Sequence, residues 1–324
     1  MVVGLPSFYF PLREGNGYPV SQSLLTTSDG RNYSLSAVVS FFFFQIFGGQ
    51  VGIPVILLTL YFSKGARKHP MLVNFLVTWI IYSVSFCILL YLGKQFGPEP
   101  NHVLCVTQAS LIYGTAVMTP TAGLSFVLNL WLSLRAVTEN KSVISNYALR
   151  NYALVAAPYG AFAVFVIFTA SYGATTTVSR NRYLFYCTIN STIVDLVPGI
   201  AAMIMISIIV FEGLIAFKLY RMHKAFVSMR LNGGPPLHLI IRVGIFSVYS
   251  FMSIVACIGF WSKAGAELPY IIQASLPTAA FIIFGTQPDL LEVWGIIRFL
   301  RFIRRKPKPV QVIEIPKPRP FLEP

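Results

Sequence analysis

Residues 71–93 read MLVNFLVTWIIYSVSFCILLYLG and contain no Asp, Glu, Lys or Arg. As a helix rising ~1.5 Å per residue, such a stretch covers the ~30 Å hydrocarbon layer of a bilayer. A helix is required there, because it satisfies its own backbone N–H and C=O groups where no water can. Working outward, comparable apolar runs occur at 36–62, 103–134, 152–172, 193–217, 239–261 and 269–286. The last is the shortest and is closed by Gln287 and Pro288. Pro54, Pro120, Pro158, Pro198 and Pro277 fall inside runs, where neighbouring helices re-satisfy the freed carbonyls. The expected fold is all-α, a seven-transmembrane helix bundle over 36–287.

Composition supports this. The chain is 55 % hydrophobic and 11 % charged, far below the ~25 % charge of soluble chains, which excludes a soluble core-and-shell protein. A net charge of +14 could suggest nucleic acid. The basic residues lie in short loops and the C-terminal tail, so the expected partner is the lipid bilayer, with no nucleic acid. The start lacks the basic segment and unbroken apolar stretch of a signal peptide, so the first run is expected to insert uncleaved.

Orientation follows from Lys and Arg. With the N-terminus outside, the outer segments hold Arg13, Arg31, Lys94, Arg180, Arg182 and Lys263, and the other 19 of the 25 basic residues fall inside. That asymmetry predicts an outer N-terminus and a cytoplasmic C-terminus, and the expected location is the plasma membrane. The polar N-tail (1–35) is too small for a ligand-binding domain. Residues 288–305 place Arg298, Arg301 and Arg305 at helical spacing beside Trp294, Ile297, Leu300 and Ile303. They predict an amphipathic helix on the anionic inner leaflet, or else a plain basic stop signal. The Lys-Pro-rich segment 306–324 predicts a disordered tail. No internal repeat is visible, which weakens a transporter built of duplicated halves.

Cys87 and Cys257 lie inside runs and read as packing residues. Cys105 and Cys187 both fall on the outer side, where disulfides persist. A bond between them would tie the loop before the fifth run across the top of the third, and two unpaired thiols are the alternative. Of the Asn-x-Ser/Thr sequons, Asn32 and Asn190 are outside and are candidate glycosylation sites, while Asn140 is inside. Asp195 and Glu212 lie ~25 Å apart along the fifth run, and Arg242 enters the sixth from inside. Intramembrane charges are functional candidates. Glu212 and Arg242 are expected to meet as a switch pair. Arg242 could instead snorkel to water, and Asp195 could simply favour a helix start. By depth, Gln108, Tyr113, Asp195, Tyr270 and Gln273 are ligand-pocket candidates. Gln45, Gln50, Asn74, Gln108, Asn129 and Gln273 read first as interhelical hydrogen-bonding groups, and Gly48-x-x-x-Gly52 as a small-residue contact.

Seven runs, an outer N-tail, the placement of Cys105 and Cys187, a long third run and a basic third inner loop resemble the layout of G-protein-coupled receptors. The stretches His69-Pro70-Met71-Leu72-Val73-Asn74-Phe75 and Cys105-Val106-Thr107-Gln108-Ala109 look like those of receptor-like proteins of mushroom-forming fungi. The resemblance covers 36–305. It implies the disulfide, an eighth helix, an extracellular ligand that is small or apolar, and a heterotrimeric G protein. Contact with that partner would fall to Arg135, Arg221, Lys224 and Arg298. The chain departs from rhodopsin-like receptors at Leu134-Arg135, which lacks the acidic residue before Arg, and at Gly285-Thr286-Gln287-Pro288, which lacks Asn-Pro-x-x-Tyr.

No enzyme is expected. His69, His223 and His238 fall inside and His102 outside, so they cannot share one zinc site. No metal or cofactor is implied, and 269–286 has no Lys for retinal. A transporter or channel for a small or lipid-like solute is the competing reading.

Overall fold

The structure is a computed structural model describing residues 24–26, 32–63, 69–96, 98–138, 147–180, 185–191, 193–194, 196–221, 241–252 and 268–294. It is a helical bundle with two short hairpins. The helices are α1 (Leu35–Phe62), α2 (Pro70–Tyr91), α3 (His102–Thr138), α4 (Tyr147–Thr175), α5 (Leu196–Arg221), α6 (Ile241–Met252), α7 (Leu268–Gly285) and α8 (Pro288–Val293). Strands β1 (Leu24–Thr26) and β2 (Asn32–Ser34) pair just before α1, and β3 (Val178–Arg180) pairs with β4 (Cys187–Ile189) between α4 and α5. Among the described residues six helices are long and apolar enough to cross a membrane: α1 to α5 and α7. The protein is a multi-pass membrane protein. The run at 239–261 is represented by α6, and the residues flanking it lie outside the described ones.

Local chemistry sets the helix ends. Ser34 accepts the Ala37 N–H at the start of α1 (3.4 Å). Pro70 and Pro288 open α2 and α8, where a missing N–H costs nothing. α2 ends on Gly93, whose φ of 63° lets the Lys94 N–H reach back to the Leu89 carbonyl (2.9 Å). Within helices, Thr107, Thr121, Ser133 and Thr169 turn their hydroxyls onto carbonyls four residues back, which satisfies them within their own helix.

The core lies where α1, α2, α3 and α7 face one another. Of the most apolar stretch of α2, 67 % is buried against the bundle, against 11 % for α4, so α4 is peripheral and turns its apolar side outward. Gln45–Gly52 in the middle of α1 is π-helical, with the Ile53 N–H bonding five residues back to Gly48. This segment packs closely on α7. A Cβ at Gly48 would run into the Thr278 backbone, and one at Gly52 into the Phe281 ring. The Thr278 hydroxyl donates to the Phe44 carbonyl (2.7 Å). Asn74 joins α2 to α4, donating to the Val155 carbonyl (3.3 Å) and accepting from the Tyr159 hydroxyl (2.8 Å).

Candidate functional site

Cys105, in the first turn of α3, is disulfide-bonded to Cys187 of β4, with Cα atoms 5.2 Å apart. One turn along α3 lies Gln108, fully buried. Its Oε1 accepts the Cys187 N–H (3.1 Å), and its Nε2 donates to the carbonyls of Ser85 (3.4 Å) and Phe86 (3.2 Å). Burying an amide is costly unless it is hydrogen-bonded, and here that demand binds α2, α3 and β4 at one point. The pairing of β3 with β4 sets Arg180 opposite Cys187. Arg180 is 3 % exposed, its backbone N–H donates to Glu99 Oε2 (3.2 Å), and its guanidinium donates to the carbonyls of Lys94 (3.2 Å) and Gln95 (2.8 Å). The turn at Gly93 presents those two carbonyls. Gln95 Nε2 in turn donates to the Phe185 carbonyl (3.3 Å).

Held this way, the loop sends two rings into the bundle. Phe185 is fully buried and stacks on Phe41 of α1 at 4.6 Å, and it lies 5.5 Å from the Tyr270 ring of α7. Tyr186 meets Phe86 of α2 edge-on at 5.0 Å. Among the described residues, the disulfide end of the bundle thus carries an anchored hairpin with an aromatic plug.

No protein-family model and no curated protein matches the chain.

The sequence-derived pocket is redistributed. Gln108 divides its amide between the loop and α2, the interhelical bonding expected of it. Tyr270 packs on the plug, whereas Tyr113 belongs to a separate cluster with Cys105, Cys187, Ile189 and Val194. Gln273, one turn along α7 from Tyr270, is half-buried. Asp195 lies outside the described residues. Asn32 opens β2, and Asn190, exposed just after β4, donates its backbone N–H to the Thr177 carbonyl (3.1 Å).

At the far end the direct Glu212–Arg242 pair does not form. Glu212 of α5 accepts from the Ser247 hydroxyl of α6 (2.7 Å). Arg242 donates to the Ile283 carbonyl, to Thr286 Oγ1 (2.6 Å) and to the Thr286 carbonyl (2.7 Å). The reason is geometric: Arg242 and Ser247 are five residues apart, ~7.5 Å along α6. Arg242 therefore sits level with the end of α7, whose last carbonyls have no partner within their own helix. Arg135 is exposed near the end of α3, and Lys218 of α5 places its Nζ 5.1 Å from the centre of the Trp131 ring. Arg221 ends α5, while Lys224 and Arg298 lie outside the described residues. Of the amphipathic segment 288–305, the described part is α8 and Trp294, whose indole N–H donates to Thr59 of α1 (3.0 Å). His69, just before α2, rests on the Phe126 ring at 5.5 Å, and burial lowers its pKa below 6.5. His102 opens α3 at the opposite end.

Arg180 was visible in the sequence only as a loop charge. The aromatic pair Phe185-Tyr186 immediately before Cys187 is the signal that could have marked the plug.

Proposed function

We propose that this chain is a seven-helix cell-surface receptor that senses a small or apolar ligand and signals to a heterotrimeric G protein. In this reading α6 belongs to the span expected at 239–261, which brings the count to seven. The disulfide end lies outside, and the Lys/Arg-rich end lies in the cytoplasm. The observation that carries the proposal is the hairpin strapped to α3 by Cys105–Cys187, with Phe185 and Tyr186 filling the mouth of the bundle. A transport path needs a hydrated opening at that level, and among the described residues rings stand there. At the other end α5, α6 and α7 are joined by a few polar contacts, Glu212–Ser247 and Arg242–Thr286, which a signalling partner can exchange for its own. The Arg135 side chain and the Lys218–Trp131 pair lie on that same side.

The test is nucleotide exchange on a purified heterotrimeric G protein by the full chain in lipid nanodiscs. Accelerated exchange is the expected result. Absence of acceleration with every G-protein class, together with solute flux in proteoliposomes, would replace the receptor with a transporter.

A further inference from the structure

Phe185 and Tyr186 belong to a loop, yet they are as buried as residues of the helical core. Three helices supply their walls: Phe41 from α1, Phe86 from α2 and Tyr270 from α7. Beneath them lies an unmet demand. Gln45 of α1 is fully buried, and neither atom of its amide has a hydrogen-bond partner among the described residues. Gln45 follows Phe41 by one turn on the same face of α1. One turn further on that face, a Cβ at Gly49 would meet Ser83 of α2 and Pro277 of α7. The Gln45 side chain therefore enters the interval between α2 and α7, just below the inserted rings. A buried amide without a partner is costly, and the Phe185 ring above it carries neither donor nor acceptor.

The loop thus satisfies the walls of the chamber and leaves its floor unsatisfied. We propose that this chamber is a binding site for a small aromatic ligand carrying an adjacent donor and acceptor, as a carboxamide does, and that Phe185 and Tyr186 occupy it in the ligand's absence. The ring replaces the plug against Phe41, Phe86 and Tyr270, and the polar group pairs with the Gln45 amide. That the ligand is a signal rests on the receptor reading; that it binds here does not.

The probe is benzamide, titrated against the full chain in phosphatidylcholine nanodiscs and read as a saturable rise in the unfolding midpoint. Toluene keeps the ring without the amide, and cyclohexanecarboxamide keeps the amide without the aromatic ring. Tyr186→Ala opens the chamber and leaves Cys105–Cys187 and Gln108 in place, and Phe185→Ala serves if that variant does not fold. Benzamide should bind the opened variant about tenfold or more tightly than the unaltered chain, and about tenfold more tightly than either control. Adding Gln45→Leu should abolish its advantage over toluene. No saturable benzamide binding in either variant overturns the proposal, as does equal binding of toluene, which would make the chamber plain apolar core. Undiminished binding after Gln45→Leu overturns it as well. Because the readout is binding, its failure is separable from failure of G-protein exchange.

Discussion

Replacing Gln108 by Leu separates a structural tie from a ligand contact. Leu fills nearly the same volume, so packing changes little. The carbonyls of Ser85 and Phe86 keep their own α-helical bonds, so losing the Nε2 donor strands neither of them. The Cys187 N–H is different, because Gln108 Oε1 accepts it at 3.1 Å and both residues are fully buried. Stranding one buried donor costs about 1–3 kcal/mol, and the lost bonds to the α2 carbonyls bring the total to about 2–4 kcal/mol. The cost depends on the loop staying in place. When Cys105→Ser and Cys187→Ser release the strap, the N–H can reach water, and Gln108→Leu should then cost less than about 1 kcal/mol. A double-mutant cycle on denaturant unfolding in mixed micelles measures the difference, expected at about 1.5 kcal/mol or more. Additive losses, or a Gln108→Leu protein within about 0.5 kcal/mol of the parent, would refute the tie.

Arg242→Gln should lose about 1–3 kcal/mol, because the Thr286 carbonyl and the end of α7 lose a charged donor; cysteine accessibility at the α7 end should rise in parallel. Gly48→Ala should destabilise the chain by about 1–3 kcal/mol, since its methyl group meets Thr278 backbone rather than a side chain that can turn away; thermal unfolding in micelles reads this. His69 is held neutral by burial, with a folded pKa below its unfolded 6.5. The unfolded chain therefore takes up the proton first, and stability that is full above pH 6.5 falls as pH drops through and below that value. His69→Phe should flatten that part of the pH–stability curve. Trp294→Phe removes the indole N–H that reaches Thr59 and should cost about 0.5–1.5 kcal/mol, with faster hydrogen exchange around α8.

The helices were legible because apolar run length is a one-dimensional property. The runs at 36–62 and 71–93 fall within two residues of α1 and α2. The run at 152–172 underestimates α4, Tyr147–Thr175, because Arg150 and Asn151 continue the helix without continuing the apolar pattern. The site was less legible. Cys105 and Cys187 could be matched because cysteines are few, but the partners of Gln108, Arg180 and Arg242 are backbone carbonyls and N–H groups, which every residue carries. Depth put Glu212 and Arg242 near each other, and the five residues between Arg242 and Ser247, ~7.5 Å along α6, give them separate partners. The inserted Phe185 and Tyr186 read as ordinary loop aromatics until the strap beside them fixed where the loop must lie.

The π-helical stretch of α1 has a consequence for what the family of tolerated sequences can look like. Gln45–Gly52 winds more slowly than the α-helical halves on either side, so the two halves meet the bundle out of phase. The half before it presents Phe41 to Phe86 and Phe185, and the half after it presents Ile53 and Ile56 to the core. Deleting one residue here would not merely shorten a span that has length to spare. It would rewind the segment and swing everything before it by ~100°, carrying Phe41 off its ring partners and an exposed face of α1 inward. The length of this stretch acts as a gear setting between two ends of one helix, and it should resist insertion and deletion even where its individual side chains can change.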